Sequence, residues 1–91
     1  MPDGGRLAGK VALISGGARG QGAAEAETFT KEGAKVVFGD ILDAEGQQVE
    51  AAIRAKGGEA TYVHLDVARE ADWGKAVRAA VGRHGKVDIL I

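Results

Sequence analysis

The glycine-rich segment Ser15–Gly22, which reads Ser-Gly-Gly-Ala-Arg-Gly-Gln-Gly, constrains the fold of this chain more than any other feature. It follows the apolar run 11–14 and precedes the Ala-rich segment 23–29, a pattern that predicts a strand, a tight turn and the start of a helix. Such a turn leaves backbone N–H groups unpaired at the positive end of the helix dipole. Because glycine tolerates positive φ and close approach of a ligand, the segment predicts a seat for a pyrophosphate.

An acidic residue follows the glycines at the distance that a bound dinucleotide requires. The glycines fall at Gly16, Gly20 and Gly22, a spacing that departs from the G-x-G-x-x-G pattern of the general dinucleotide fingerprint. Asp40 follows the apolar run 36–38 and lies eighteen residues after Gly22, where a carboxylate accepts hydrogen bonds from the adenosine ribose of NAD. The turn and the carboxylate together predict a dinucleotide site.

The charges near this site bear on which dinucleotide it prefers. A carboxylate repels the 2′-phosphate of NADP, so Asp40 favours NAD. Arg19, inside the turn, is a basic group that could meet a 2′-phosphate, whereas Ile41 supplies no second cation. The sequence therefore favours NAD over NADP.

The same residues also have purely structural interpretations, which the sequence leaves open. The glycine turn fits a tight connection with close helix packing and no ligand. Asp40 fits a helper at the N-terminus of the following helix, and Asp66 fits a cap at the end of a strand. Trp73 fits a packing residue, with a surface role as the alternative.

Composition excludes several other classes of protein. A chain of 91 residues with 45% hydrophobic and 27% charged residues and a net charge of −1 fits one small domain and gives no basic excess for nucleic acid. It has no cysteine, its apolar runs are too short for a membrane span, and residues 1–5 lack the pattern of a signal peptide. His64 and His84 have no spacing that indicates a metal site, so we read them as structural histidines. We expect a cytoplasmic protein.

Apolar runs alternate with helical segments along the chain. Residues 1–9 read as a flexible lead-in, and residues 10–91 as the N-terminal dinucleotide-binding part of a larger fold. Asp43 is the expected N-cap of the second helix, and Trp73, Val77, Ala80 and Val81 the expected inner stripe of the third. Strands are predicted over 10–15, 35–40, 61–67 and 87–91, and helices over 22–33, 43–56 and 70–82.

This order of elements predicts an α/β fold. Nearly continuous apolar strands separated by helices indicate a parallel sheet covered on both faces. Right-handed crossovers give a Rossmann-like doubly wound parallel sheet of order 3-2-1-4, truncated after the fourth strand. Ligands bind such sheets at the carboxyl ends of the strands, where the glycine turn, Asp40 and Asp66 all fall.

These residues resemble the short-chain dehydrogenase/reductase family. Its cofactor motif, Thr-Gly-x-x-x-Gly-x-Gly, matches the segment 15–22 with Ser15 in place of Thr. Its acidic residue at the end of the second strand matches Asp40, and its adenine-contacting Asp-Val pair matches Asp66 and Val67. The segment 85–91 is similar to the approach to the family's Asn-Asn-Ala-Gly motif.

The resemblance implies an NAD-dependent oxidoreductase that interconverts an alcohol and a ketone, most similar to bacterial NAD-dependent hydroxysteroid dehydrogenases. Members of the family are usually tetramers or dimers. Gln21 is expected to contribute its backbone N–H near the pyrophosphate. The expected cofactor-binding residues are Gly16, Arg19, Gly20, Gln21, Gly22, Asp40, Ile41, Asp66 and Val67.

One departure from the family concerns the catalytic residues. The family's catalytic Asn, Ser and Tyr-x-x-x-Lys lie C-terminal to the position that Ile91 matches, and Tyr62 cannot replace that Tyr because Asp66, not Lys, stands four residues on. We therefore expect the 91-residue chain alone to be inactive. The alternatives are a stand-alone nucleotide-binding or interaction module, disfavoured by the apolar fourth strand, and an S-adenosylmethionine methyltransferase, disfavoured by the glycine spacing.

Overall fold

The chain alternates strands and helices as its apolar runs and glycine breaks predict. A computed structural model describes residues 6–18 and 20–91, so residues 1–5 of the expected lead-in and Arg19 of the glycine turn lie outside the described residues. The elements are β1 (Val11–Ser15), α1 (Gly20–Lys31), β2 (Lys35–Asp40), α2 (Asp43–Ala55), β3 (Glu59–His64), α3 (Glu70–His84) and β4 (Ile89–Leu90).

The four strands form one parallel sheet in the order β3-β2-β1-β4, which confirms the predicted topology. Residues of β1 and β2 pair from Val11 with Lys35 to Ser15 with Gly39. This register ends both strands at the same edge of the sheet. The glycine turn that follows β1 therefore begins beside the last residues of β2.

Successive side chains of the central strands point to opposite faces of the sheet, and helices cover both faces. On one face Ile14 and Phe38 are fully buried in a cluster with Ala26 of α1 and Ile53 of α2. On the other face Leu13 and Val37 are buried in a cluster with residues of α3. A sheet covered on both faces is the arrangement that unbroken apolar strands require.

The third strand lies earlier in the chain than predicted. It spans Glu59–His64 rather than residues 61–67. Asp40, the last residue of β2, pairs with His64, so residues after His64 have no strand to pair with on β2. The chain then turns, and the Asp66 carboxylate accepts a hydrogen bond from the Ala68 N–H at 3.0 Å. Asp66 and Val67 therefore belong to the loop between β3 and α3.

The inner stripe of α3 also differs from the prediction. Ala76 and Ala80 are buried against the sheet and Trp73 packs beside them, whereas Val77 and Val81 are 40% and 44% exposed. The small residues Ala76 and Ala80 lie where α3 meets the sheet, and the two valines lie on its flank. None of the helices in the ranges 6–18 and 20–91 has both the length and the apolar character to cross a bilayer.

The expected N-cap of α2 is wrong. Leu42 occupies the cap position without a side-chain hydrogen bond, and Asp43 is the first residue of the helix. The Asp43 carboxylate turns instead towards β3, where its Oδ1 lies 2.6 Å from the Tyr62 hydroxyl and 2.9 Å from His64 Nδ1. The Asp43 carboxylate therefore bonds to Tyr62 and His64 of β3 instead of capping the N-terminus of α2.

Two glycines inside helices give a matched stability prediction. A methyl group at Gly46 of α2 would overlap the Tyr62 ring, whereas one at Gly82 of α3 would meet no atom within 4 Å among the described residues. Gly46→Ala should lower the free energy of unfolding by about 1–3 kcal/mol through overpacking. Gly82→Ala should raise it by about 0.5–1 kcal/mol through helix propensity. Urea unfolding of both variants checks this, and changes of the same sign would contradict it.

Candidate functional site

The glycine turn between β1 and α1 is held by the end of β2. The N–H groups of Gly16 and Gly17 both donate to the Gly39 carbonyl, at 2.7 and 3.1 Å. A side chain at Gly17 would overlap Phe38, and one at Gly22 would overlap the Gly16 carbonyl. The turn therefore lies tightly between the second strand and the first turn of α1, with no room for side chains on its inner side.

The outer side of the turn is open as far as the described residues go. Gly16 and Gly20 have φ angles of +71° and +59°, which other residues adopt only with strain. A methyl group at either position would meet no atom within 4 Å in the part of the chain that the structure describes. Gly20, Gln21 and Gly22 form the first turn of α1. The N–H groups of the first turn of a helix have no intrahelical carbonyl to bond. An anion approaching this side meets backbone N–H groups and the positive end of a helix dipole.

The Asp40 carboxylate lies at the mouth of this turn. Its Oδ2 accepts a hydrogen bond from the Ala18 N–H at 3.2 Å, and its Oδ1 accepts from the N–H groups of Ile41 at 2.7 Å and Leu42 at 3.2 Å. The structure thus brings together the two features that the sequence analysis joined by spacing. It also shows the alternative role of Asp40, because Oδ1 ties down the chain that enters α2.

Sequence reasoning missed the residues that join the turn to the second strand. Ala18 supplies the N–H that meets Asp40, and Gly39 supplies the carbonyl that fixes Gly16 and Gly17. Gly39 has no room for a side chain because Leu65 packs against its Cα. A glycine directly before the acidic residue, inside an otherwise apolar strand, was a signal of this close approach.

The other expected cofactor residues lie around the same edge of the sheet. Ile41 and Val67 are each 59% exposed, in the connections that follow β2 and β3. The Asp66 N–H donates to the Asp72 carboxylate at 2.9 Å, and the Asp66 carboxylate accepts from the Ala68 N–H, so Asp66 orders the loop that follows β3. No hydrogen bond joins Asp66 to the glycine turn within the ranges 6–18 and 20–91. Arg19, the remaining expected residue, lies outside the described residues.

A polar cluster of Tyr62, Asp43 and His64 lies beside Asp40. The Tyr62 hydroxyl is 2.6 Å from both the Asp40 carbonyl oxygen and Asp43 Oδ1, and shares its one proton between them. Burial, followed by the hydrogen bond to Asp43, raises the pKa of Tyr62. The hydrogen bonds from Tyr62 and His64 lower the pKa of Asp43, and the bond to Asp43 raises the pKa of His64. At neutral pH the phenol stays protonated and Asp43 stays charged.

A cavity lies at the opposite edge of the sheet. It has a volume of about 530 Å³ and is lined by residues at the beginnings of β2 and β3, among them Lys35 and Glu59. Ligands of parallel α/β sheets bind outside the carboxyl ends of the strands, where the glycine turn and Asp40 lie. Size alone therefore does not make this cavity the functional site.

Comparisons with known sequences agree with this geometry. The family profile described as short chain dehydrogenase matches residues 10–91. The chain is 54% identical over 87 residues to a 3-alpha-(or 20-beta)-hydroxysteroid dehydrogenase of Mycobacterium tuberculosis, covering 96% of this chain and 32% of that protein. It is 53% identical over 85 residues to a 2,5-dichloro-2,5-cyclohexadiene-1,4-diol dehydrogenase of Sphingobium indicum, covering 93% and 34%. The chain thus spans about a third of the length of these curated relatives.

Solved structures give the same result. A hydroxysteroid dehydrogenase from Escherichia coli superposes with a TM-score of 0.90 at 37% identity, over 99% of this chain and 38% of that one. A short chain dehydrogenase/reductase from Burkholderia phymatum, solved in complex with NAD, has a TM-score of 0.90 at 34% identity, over 92% and 30%. A 3-ketoacyl-(acyl-carrier-protein) reductase from Brucella melitensis, complexed with NADH, has a TM-score of 0.84 at 46% identity, over 92% and 33%.

The two histidines should titrate on opposite sides of the ordinary value. The bond to Asp43 raises the pKa of His64, and burial lowers the pKa of His84. A proton NMR titration should therefore place His64 above and His84 below about 6.5. Because the pKa of His64 is raised on folding, its pair with Asp43 stabilises the fold below about pH 6.5 and loses this contribution as the pH rises through the folded pKa.

Asp43→Asn is the matched variant for this titration. It should lower the pKa of His64 and leave that of His84 unchanged, because the bond to Asp43 is the main cause of the raised pKa of His64, whereas burial is the main cause of the lowered pKa of His84. Coincident titration of the two histidines in the unchanged protein would contradict the pairing.

Proposed function

The chain belongs to the short-chain dehydrogenase family of oxidoreductases, and from this premise we propose that it binds NAD for an enzyme that interconverts an alcohol and a ketone. One observation carries the proposal: the Asp40 carboxylate lies 3.2 Å from the Ala18 N–H, inside the glycine turn. A sugar hydroxyl at Asp40 and a phosphate at the turn then belong to one ligand. The interconversion of an alcohol and a ketone is the activity of a whole enzyme. We propose it rather than assert it, because the chain spans about a third of the length of its relatives.

The proposal assigns the pyrophosphate to the open side of the glycine turn. Gly20, Gln21 and Gly22 form the first turn of α1, where backbone N–H groups suit an anion, and Gly16 leaves the space that a side chain would fill. Arg19 is included through its position in the turn. NAD would supply the hydride acceptor, and the role of these residues is to hold and orient it.

Asp40 is assigned to the adenosine ribose. A carboxylate offers about four lone-pair positions, and the Asp40 oxygens accept three N–H groups in the described residues, so the carboxylate retains capacity for a ribose hydroxyl. Its charge disfavours a 2′-phosphate, and the exposed Ile41 beside it offers no compensating cation. Two structural neighbours are complexes with NAD or NADH, which supports NAD rather than NADP.

The adenine side is assigned to residues after the second and third strands. Ile41 and Val67 present exposed apolar side chains at this edge, and Asp66 orders the loop that carries Val67. An apolar surface with one ordered polar group suits a flat heteroaromatic base. We include Ile41, Asp66 and Val67 in the proposed cofactor site on this basis.

We assign no residue of this chain to the chemical step. The sequence contains one tyrosine, Tyr62, and no Tyr-x-x-x-Lys motif, so we expect the 91 residues alone to be inactive. A hydroxysteroid is the proposed substrate class, supported by relatives that are named hydroxysteroid dehydrogenases. A cytoplasmic location and assembly into a dimer or tetramer are further expectations from the family.

Exchanging the charge at the ribose position tests the proposal. Asp40→Ala with Ile41→Arg should weaken NAD binding by about 10- to 150-fold, because hydrogen bonds to a charged group contribute about 1.5–3 kcal/mol, and it should strengthen NADP binding. Isothermal titration calorimetry with each dinucleotide measures both changes.

Glu70→Ala with Val77→Arg is the matched control for this experiment. It makes the same change in net charge on the exposed surface of α3, and it should leave both affinities unchanged. An unaltered ratio of NAD to NADP affinity in the variant at positions 40 and 41 would overturn the ribose assignment.

A further inference from the structure

The peptide group that follows Asp40 is held at both of its ends. Its carbonyl oxygen, that of Asp40, accepts hydrogen bonds from the Leu65 N–H at 2.9 Å and from the Tyr62 hydroxyl at 2.6 Å. Its N–H, that of Ile41, donates to the Asp40 carboxylate at 2.7 Å. One rigid peptide plane therefore connects the Tyr62 hydroxyl to the carboxylate, because a peptide group rotates as a unit.

Tyr62 is itself held in place by residues of β2 and α2. It packs on Phe38 of β2 with the ring centroids 5.5 Å apart at a tilt of 60°, and it lies against Gly46 of α2. The backbone N–H of Tyr62 donates to the Glu50 carboxylate at 2.8 Å. The hydroxyl thus has little freedom to follow Asp40 if that residue moves.

Asp43 completes the arrangement from α2. Its Oδ1 is the second acceptor of the Tyr62 hydroxyl at 2.6 Å and is within 2.9 Å of His64 Nδ1. The carboxylate that would otherwise cap α2 therefore orients the hydroxyl. The first residue of the helix and the last residues of β3 are joined at this point.

We propose that Tyr62 is a positioning residue for the dinucleotide: its hydroxyl fixes the Asp40–Ile41 peptide and so sets the direction in which the Asp40 carboxylate meets the ribose. This inference deepens the proposed function and rests on it. Tyr62 touches neither the glycine turn nor the expected cofactor residues other than Asp40 by any hydrogen bond in the described ranges, so its influence passes through Asp40.

A double-mutant cycle on NAD affinity separates positioning from a general structural effect. Tyr62→Phe keeps the ring and removes the hydroxyl, and it should weaken NAD binding about three- to tenfold, the loss expected for one hydrogen bond. In an Asp40→Ala background the same substitution should cause no further loss, because the group that Tyr62 positions is gone. Isothermal titration calorimetry of the four proteins gives the coupling.

The neighbouring hydroxyl provides a matched control. Thr61 precedes Tyr62 in β3, and its buried hydroxyl has no hydrogen-bond partner in the part of the chain that the structure describes. Thr61→Val removes this hydroxyl at nearly constant shape and should leave NAD affinity unchanged. A loss equal to that of Tyr62→Phe would show that any hydroxyl deleted from β3 has the same effect, and would overturn the inference.

The outcomes distinguish this inference from the proposed function. If Asp40→Ala leaves NAD affinity unchanged, the ribose assignment itself fails. If Asp40→Ala weakens binding but Tyr62→Phe has no effect, or has the same effect in both backgrounds, only the positioning role fails.

A second measurement tests the inference without replacing Tyr62 by Phe. Tyr62 is the single tyrosine of the chain, so biosynthetic incorporation of 3-fluorotyrosine places one fluorine on its ring. The fluorine NMR resonance should shift on addition of NAD to the otherwise unchanged protein and stay in place in Asp40→Ala. A resonance that does not shift with NAD in either protein would contradict the coupling. This result does not depend on whether Tyr62→Phe folds.

Discussion

The carbonyl group of Gly39 is the point on which the site depends. It accepts the N–H groups of both Gly16 and Gly17, and so fixes the turn after β1 to the end of β2. Because β1 and β2 pair in register up to Ser15 and Gly39, the residue that follows Gly39 emerges at the mouth of the turn. That residue is Asp40, whose carboxylate meets the Ala18 N–H. The meeting of turn and carboxylate is thus a consequence of strand register.

The sequence predicts the architecture well because the sheet is built from unbroken apolar runs. Such strands must be covered on both faces, and the helices between them leave the order 3-2-1-4 as the natural right-handed arrangement. The errors arise where a tertiary contact overrides a local preference. Asp43 is a good N-cap in sequence, but its carboxylate bonds to Tyr62 and His64 instead. On α3, Ala76 rather than Val77 is buried on the inner face.

The site is predictable in its residue types and less so in its connections. Spacing alone joins the glycine turn to Asp40, since both ends of the pair are marked by unusual residues in apolar surroundings. The groups that hold them are backbone atoms of Gly39 and Ala18 and the phenol of Tyr62. Gly39 is marked in the sequence as a glycine inside an apolar strand, but the sequence has no comparable signal for the Ala18 N–H or for the Tyr62 hydroxyl. Tyr62 belongs to β3, and the boundaries of β3 depend on its pairing with β2. The position of the Tyr62 hydroxyl beside Asp40 therefore depends on that pairing.

A dinucleotide should contact the chain at the glycine turn and at Asp40, and amide chemical-shift mapping tests this most directly. Titrating NAD into the ¹⁵N-labelled protein should shift the N–H resonances of the turn from Gly16 to Gly22 and those of Ile41 and Leu42. The N–H resonances of Gly57 and Gly58, which line the cavity at the opposite edge of the sheet, should not shift. Shifts confined to that cavity, or shifts at the turn without any at Ile41 and Leu42, would contradict a ligand held jointly by the glycine turn and Asp40.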